Sequence, residues 1–91
     1  MKTRAHIFIQ GKVQGVFFRF ETRREARMQR VNGWVRNLPN GEVEAILEGE
    51  EEDVKKLIAF CEHGFPGATV TGIRVAWEDY AGEFTDFEIR P

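Results

Sequence analysis

The chain begins with alternating hydrophobic and polar residues, the pattern of a β-strand that buries one face. This segment covers residues 2–10, and the side expected to be buried carries Ala5, Ile7 and Ile9. From about residue 18 to residue 29 the apolar spacing changes to four residues among charged side chains, which predicts an amphipathic helix. The inward positions of this helix are Phe18, Thr22 and Ala26.

A hairpin and a second helix follow. Residues 31–37 and 42–49 are apolar and β-branched, and the LPNG turn between them predicts an antiparallel pair. Residues 50–63 begin with acids and continue with apolar residues at helical spacing, so they predict a helix that Gly64 ends. Its inner stripe consists of Val54, Leu57, Ile58 and Cys61.

Alternation returns in the last third of the chain. A fourth strand is predicted around Ile73, Val75 and Trp77, and a short last one around Thr85, Phe87 and Ile89. The order strand, helix, strand, strand, helix, strand is that of a split βαβ unit, so the sequence predicts an α+β, ferredoxin-like two-layer sandwich (βαββαβ). We expect a mostly antiparallel sheet with two helices on one face, and a single domain over residues 1–91.

The segment between the first strand and the first helix has the features of an anion-binding loop. Residues 11–19 read GKVQGVFFR, and the free amides and dipole of a first helical turn attract anions. Gly11 and Gly15 permit backbone angles closed to other residues, and Arg19 supplies a planar fork that matches phosphate oxygens. The segment is predicted to bind phosphate, although a glycine-rich turn taken alone is more often a plain connection.

A second segment strengthens the prediction that residues 11–19 bind phosphate. Residues 33–49 read GWVRNLPNGEVEAILEG. The two segments fill every fixed position of GxVQGVxFR and GWVxNxxxGxVxxxxxG, the signature patterns of the acylphosphatase family. The chain closely resembles that family over its whole length, and the family has the ferredoxin-like fold. Because many unrelated functions share this fold, the motifs carry the functional prediction and the element order does not.

The resemblance implies a metal-free hydrolase that splits the carboxyl-phosphate bond of small acyl phosphates into a carboxylate and inorganic phosphate. It assigns the orientation of the attacking water to Asn37. Phosphate binding is assigned to Arg19 and to the loop residues Gln14, Gly15, Val16, Phe17 and Phe18. The chemistry is consistent with these roles, since amides and a guanidinium neutralise phosphoryl oxygens and a carboxylate leaving group needs no general acid. The substrate's own phosphate oxygens are the hypothesised acceptor of the water proton.

Composition bounds the remaining expectations. A single cysteine excludes an intramolecular disulfide, and His6 and His63 lie too far apart to form a metal motif, so neither a metal nor a cofactor is expected. No apolar run approaches the roughly 20 residues of a membrane span, and the N-terminus leads directly into a strand. We expect a cytoplasmic monomer whose partners are the acyl phosphate and the product phosphate, with no nucleic acid and no membrane.

Charge is distributed unevenly along the chain. Residues 1–40 carry nine basic residues and two acidic ones, whereas residues 41–91 carry four basic and thirteen acidic. The simplest interpretation is two solvated faces that attract each other in the fold. The phosphate loop lies in the positive half, which would steer a small anion toward it.

Two other functions are compatible with the element order. An RNA-recognition domain stacks bases on strand aromatics, and the aromatic candidates here are Phe8, Phe17, Phe18, Trp34 and Trp77. The third strand opposes this function, because residues 42–48 carry acids where basic and aromatic residues would be needed. A module that binds a phosphorylated ligand without turnover is the nearer alternative, opposed only by the joint presence of Arg19 and Asn37.

One position departs from the family pattern. Acylphosphatases commonly have glycine in an LG stretch near the end of the first helix, whereas residues 28–30 read MQR here. If the backbone is left-handed at this point, Arg30 costs about 1 kcal/mol relative to glycine. The departure concerns local stability and not the chemistry.

Overall fold

Five strands and two helices make up the chain, which the computed structural model describes over residues 1–91. The elements in chain order are β1 (Lys2–Lys12), α1 (Phe18–Met28), β2 (Asn32–Asn37), β3 (Val43–Glu50), α2 (Glu51–His63), β4 (Thr69–Glu78) and β5 (Phe87–Ile89). Each predicted element is confirmed, and the elements from β1 to α2 end within about two residues of the expected bounds, the ordinary uncertainty of helix and strand boundaries. The fourth strand is longer than residues 73–77, around which it was predicted. Neither helix has the length and apolar character needed to span a membrane.

The strands form one sheet in the order β4-β1-β3-β2-β5. Neighbouring strands are antiparallel except β2 and β5, which run parallel. Both helices pack on the same face of this sheet, so the predicted ferredoxin-like sandwich is confirmed. The short β5 extends the edge beside β2, next to α1.

The core lies between the sheet and the two helices. The predicted inward residues of β1 and α1 are buried, and from α2 the core receives Val54, Leu57 and Cys61. Thr22 is the polar exception on α1, and its hydroxyl donates to the carbonyl of Phe18 at 2.8 Å. Burial raises the pKa of the Cys61 thiol to about 12, so this cysteine is a core residue, as its helical spacing predicts.

The opposite face of the sheet carries charged residues that pair across the sequence. Arg4 lies 3.4 Å from Glu48, and Arg36 lies 2.7 Å from Glu44. Each pair joins a basic residue from the first forty positions to an acid from the rest. The predicted attraction between the basic and acidic halves is thus confirmed as specific ion pairs.

At the end of α1 the backbone is left-handed, which is the case in which Arg30 was expected to cost stability. Arg30 has φ 59°. Its N–H donates to the carbonyl of Arg27 at 3.3 Å, and the N–H of Val31 donates to the carbonyl of Ala26 at 2.8 Å. This pair of bonds is a Schellman motif, which normally places glycine at the left-handed position.

We predict that Arg30→Gly raises the free energy of unfolding by about 1 kcal/mol, because glycine adopts φ 59° without a Cβ clash. Urea denaturation followed by circular dichroism measures this change. The control is Arg24→Gly, an exposed α1 position with ordinary helical geometry, where glycine should destabilise by about 1 kcal/mol. An equal loss of stability in both variants would contradict the prediction.

Candidate active site

The loop between β1 and α1 bends because two of its residues have left-handed backbone. Gly15 has φ 74° and Phe17 has φ 64°, so left-handed residues alternate with others along the loop, a pattern typical of anion-binding nests. Gly11 has a different role, since it lies at the end of β1 at an irregularity in the pairing with β4. A Cβ there would come within 2.0 Å of the carbonyl oxygen of Thr69. Glycine is therefore needed at position 11 for the close approach of β1 to β4, and not for binding an anion.

The amides of this loop are free to donate to a ligand. None of the backbone N–H groups of residues 14–18 donates to a backbone carbonyl, and Phe17 caps α1 without a side-chain hydrogen bond. The first turn of α1 therefore presents unpaired donors together with the positive end of the helix dipole. This arrangement can bind an anion of phosphate size.

Arg19 lies in the first turn of α1 and is half-buried. It lines a cavity of about 170 Å³ together with Val13, Gly15, Phe17, Phe18 and Phe20. The Arg19 guanidinium has no carboxylate partner, whereas Arg24 pairs with Glu21 at 3.4 Å and Arg27 pairs with Asp86 at 3.0 Å. Arg23 also has no carboxylate partner, but it lines a different cavity on the outer face of α1, so Arg19 is the unpaired arginine beside the loop.

Asn37 ends β2 on the side of the sheet that faces the helices. Side chains alternate along a strand, so Asn37 shares its face with the fully buried Val35, whereas Arg36 points to the other face. The Oδ1 atom of Asn37 is buried and accepts no hydrogen bond. A buried acceptor without a donor costs about 1–3 kcal/mol, and such an atom in a folded protein calls for an explanation, such as a bound water or ion, local strain or a functional role.

The side chain of Gln14 connects the loop to the hairpin that carries Asn37. Its Nε2 atom donates to the carbonyl of Leu38 at 2.7 Å and to the carbonyl of Glu42 at 2.9 Å. The sequence interpretation treated Gln14 only as an amide donor and missed this contact. The sole signal was that the family pattern fixes a glutamine, since a backbone amide by itself requires no particular side chain.

The predicted site residues do not all contribute side chains to the cavity. Gly15, Phe17, Phe18 and Arg19 line it. Val16 packs against the core instead. Asn37 is not part of the cavity wall, but it directly precedes Leu38, whose carbonyl accepts the bond from Gln14. The structure therefore brings the loop and the strand end together through one bridging side chain.

The acids nearest to the hairpin are poorly suited to act as bases. Hydrogen bonds from Gln10 and Asn40, together with the Arg74 charge, lower the pKa of Glu42. Burial raises the pKa of Glu44, but hydrogen bonds from His6 and Arg36 outweigh this effect, so the net pKa lies below its usual value. Both carboxylates are stabilised as anions and have little tendency to take up a proton.

Comparison with known proteins agrees with this geometry. The family model for Acylphosphatase matches residues 5–89. The chain is 49% identical over 88 residues to the acylphosphatase of Pelotomaculum thermopropionicum, covering 97% of this chain and 96% of that protein. It is 53% identical over 89 residues to the acylphosphatase of Syntrophus aciditrophicus, covering 98% and 93%. Its structure matches the crystal structure of acylphosphatase from Bacillus subtilis with a TM-score of 0.94 and 32% identity over the whole of both chains.

The chain therefore belongs to the acylphosphatase family, as its two sequence motifs predict, and is a hydrolase. The substrates of this family are small acyl phosphates, and one product is inorganic phosphate. The fold and the family are thus established together.

We predict that Gln14→Met lowers the free energy of unfolding by about 1–2 kcal/mol, because methionine fills a similar volume but cannot donate the two hydrogen bonds. Chemical denaturation measures the loss. The matched control is Gln10→Met, which removes a single exposed bond to Glu42 and should change stability by less than about 0.5 kcal/mol. Equal effects in the two variants would show that the Gln14 bridge does not hold the loop to the hairpin.

Proposed function

We propose that the protein hydrolyses small acyl phosphates with the loop amides and Arg19 holding the phosphoryl group and with Asn37 orienting the attacking water. The observation that carries this proposal is the buried, unpartnered Oδ1 of Asn37, at a strand end tied to a loop whose own donors are free. Residues 1–91 act in this proposal as one catalytic domain.

The loop amides and the positive charge of Arg19 are the groups proposed to bind the phosphoryl oxygens. The amides of residues 14–18 have no backbone acceptor, and Arg19 lines the cavity together with Gly15, Phe17 and Phe18, so donors and positive charge are available to a bound phosphoryl group. A loose phosphoryl-transfer transition state spreads negative charge over three peripheral oxygens, and fixed donors stabilise that charge without reorganising. The main contribution of the loop is therefore electrostatic.

Water positioning is the role proposed for Asn37. A carboxamide offers one acceptor and two donor hydrogens, and the Asn37 Oδ1 is an acceptor that no protein group uses. Because Oδ1 has almost no exposed surface, we propose that it reaches the water when the side chain shifts on substrate binding. A water that donates to this oxygen would have a lone pair free to attack phosphorus. Holding the water in line with the departing oxygen converts an encounter in solution into a step within one complex.

The bond changes balance without a protein acid or base. The water oxygen forms a bond to phosphorus, the bond between phosphorus and the acyl oxygen breaks, and the acyl group leaves as a carboxylate. The conjugate acid of such a carboxylate has a pKa of roughly 4 to 5, so it departs without protonation. The water proton goes to a phosphate oxygen of the substrate, in keeping with the lowered pKa values of Glu42 and Glu44.

We predict that Arg19→Ala weakens the binding of inorganic phosphate by about tenfold or more, because a charge-assisted contact to the anion is lost. Isothermal titration calorimetry measures the affinity. Arg24→Ala removes the same charge from the outer face of α1 and should change the affinity by less than about twofold. Equal losses would mean that α1 attracts phosphate only through its overall charge.

We predict that Asn37→Ala lowers kcat for a simple acyl phosphate by about a hundredfold, a typical cost of losing one positioning group in an active site. Phosphate affinity should stay within about twofold of the original. The free energy of unfolding should not fall, because the variant lacks the buried unpartnered oxygen. Turnover is assayed with a metal chelator present throughout.

Two outcomes would overturn the Asn37 assignment. One is unchanged turnover in Asn37→Ala, and the other is a loss of phosphate binding that accounts for the whole drop in rate. If the natural chain binds phosphate but hydrolyses no acyl phosphate, the protein is a module that binds phosphorylated ligands, and the proposed reaction is wrong.

A further inference from the structure

Phe17 has an unfavourable backbone for a bulky residue and buries little in return. Its φ of 64° is left-handed, a conformation that glycine or asparagine adopts far more easily than an aromatic residue. The side chain is 73% exposed, so core packing does not compensate for the strain. A strained residue that contributes little to stability is a candidate for a functional role.

A second exposed ring stands beside Phe17. Phe20 is 48% exposed, and the two ring centroids lie 6.2 Å apart with a tilt of 50°. The guanidinium of Arg23 lies 5.5 Å from the Phe20 ring centroid on the outer side. Both rings line the cavity that also contains Arg19. The wall of the proposed phosphate site is therefore partly aromatic and open to solvent.

We infer that Phe17 and Phe20 bind the acyl group of the substrate and make the enzyme prefer acyl phosphates with an aromatic acyl group. This inference rests on the proposed function. If the loop amides and Arg19 hold the phosphoryl end, the acyl end must extend out of the cavity, past the two rings that line it. A planar acyl group placed there covers the exposed rings and gains aromatic contacts, whereas a two-carbon acyl group reaches them poorly.

The opposite end of the same helix provides a contrast. Met28 is 66% exposed but does not line the cavity with Arg19, and its backbone is ordinary helix. Exposed apolar side chains of this kind occur singly on most proteins. Phe17 differs because exposure, left-handed backbone and a place in the cavity wall coincide in one residue.

The test compares benzoyl phosphate with acetyl phosphate for the natural chain and for Phe17→Asn, Phe20→Ala and Met28→Ala. Asparagine tolerates the left-handed backbone and lacks the ring. In Phe20→Ala, kcat/KM for benzoyl phosphate should fall about threefold to tenfold and kcat/KM for acetyl phosphate by less than about twofold. In Phe17→Asn, the ratio of kcat/KM for benzoyl phosphate to that for acetyl phosphate should fall about threefold to tenfold. Met28→Ala should keep the original ratio, and Phe17→Tyr, which retains a ring, should keep it as well.

Inhibition by inorganic phosphate distinguishes an effect on acyl-group binding from an effect on the phosphate loop. The inhibition constant should stay within about twofold in Phe20→Ala and Met28→Ala, because phosphate lacks an acyl group. A loss of phosphate inhibition in Phe17→Asn would mean that Phe17 shapes the loop, and it would overturn the inference. An unchanged substrate ratio in Phe17→Asn and Phe20→Ala would overturn it too, while leaving the proposed function intact. Absence of hydrolysis of either substrate by the natural chain would overturn both.

Discussion

The two hydrogen bonds from the side chain of Gln14 are the polar contact that joins the two halves of the proposed site. They run from a loop after β1 to the turn after β2, and they join carbonyls of Leu38 and Glu42 that are themselves fixed by the hairpin. Without this bridge, the free amides of the loop and the carboxamide of Asn37 would lie on two elements with no direct polar link. Positioning within about half an ångström is what a catalytic arrangement needs, and a doubly bonded side chain supplies such a restraint.

Unpaired polar groups and strained backbone are concentrated around this contact. The Asn37 Oδ1 has no donor, Arg19 has no carboxylate partner and Phe17 has left-handed backbone. Elsewhere the polar groups of the fold are satisfied, as in Glu48, which is 2% exposed and accepts the amides of Ala81 and Glu83. Unpaired polar groups and strain confined to one place are typical of functional sites, so their location supports the proposed site. Arg30 is a separate strained position at the far end of α1.

In the folded chain, part of the uneven charge along the sequence is neutralised by ion pairs between its two halves. Arg4, Arg27 and Arg36 are neutralised by acids from the second half of the sequence. The arginine at the first turn of α1 is left without such a partner, so its charge adds to the field of the helix dipole and of the free amides. The net charge of −2 therefore conceals a local positive site suited to a small anion.

The elements, the family and the inward residues of β1 and α1 follow from the sequence, because periodicity reports which face of an element is buried and the two motifs are local in sequence. Periodicity was a poorer guide on β4, where Val75 and Trp77 are exposed. The sequence also marked residue 30 as a departure from the family pattern, and the structure showed that Arg30 is left-handed there. Tertiary structure decided the rest. The partner of the Gln14 side chain lies 24 residues away, and the parallel pairing of β5 with β2 and the exposure of Phe17 depend on how distant segments pack. The missing donor at Asn37 likewise becomes visible only after every neighbour is in place, because a hydrogen-bond partner is a property of position in space and not of residue order.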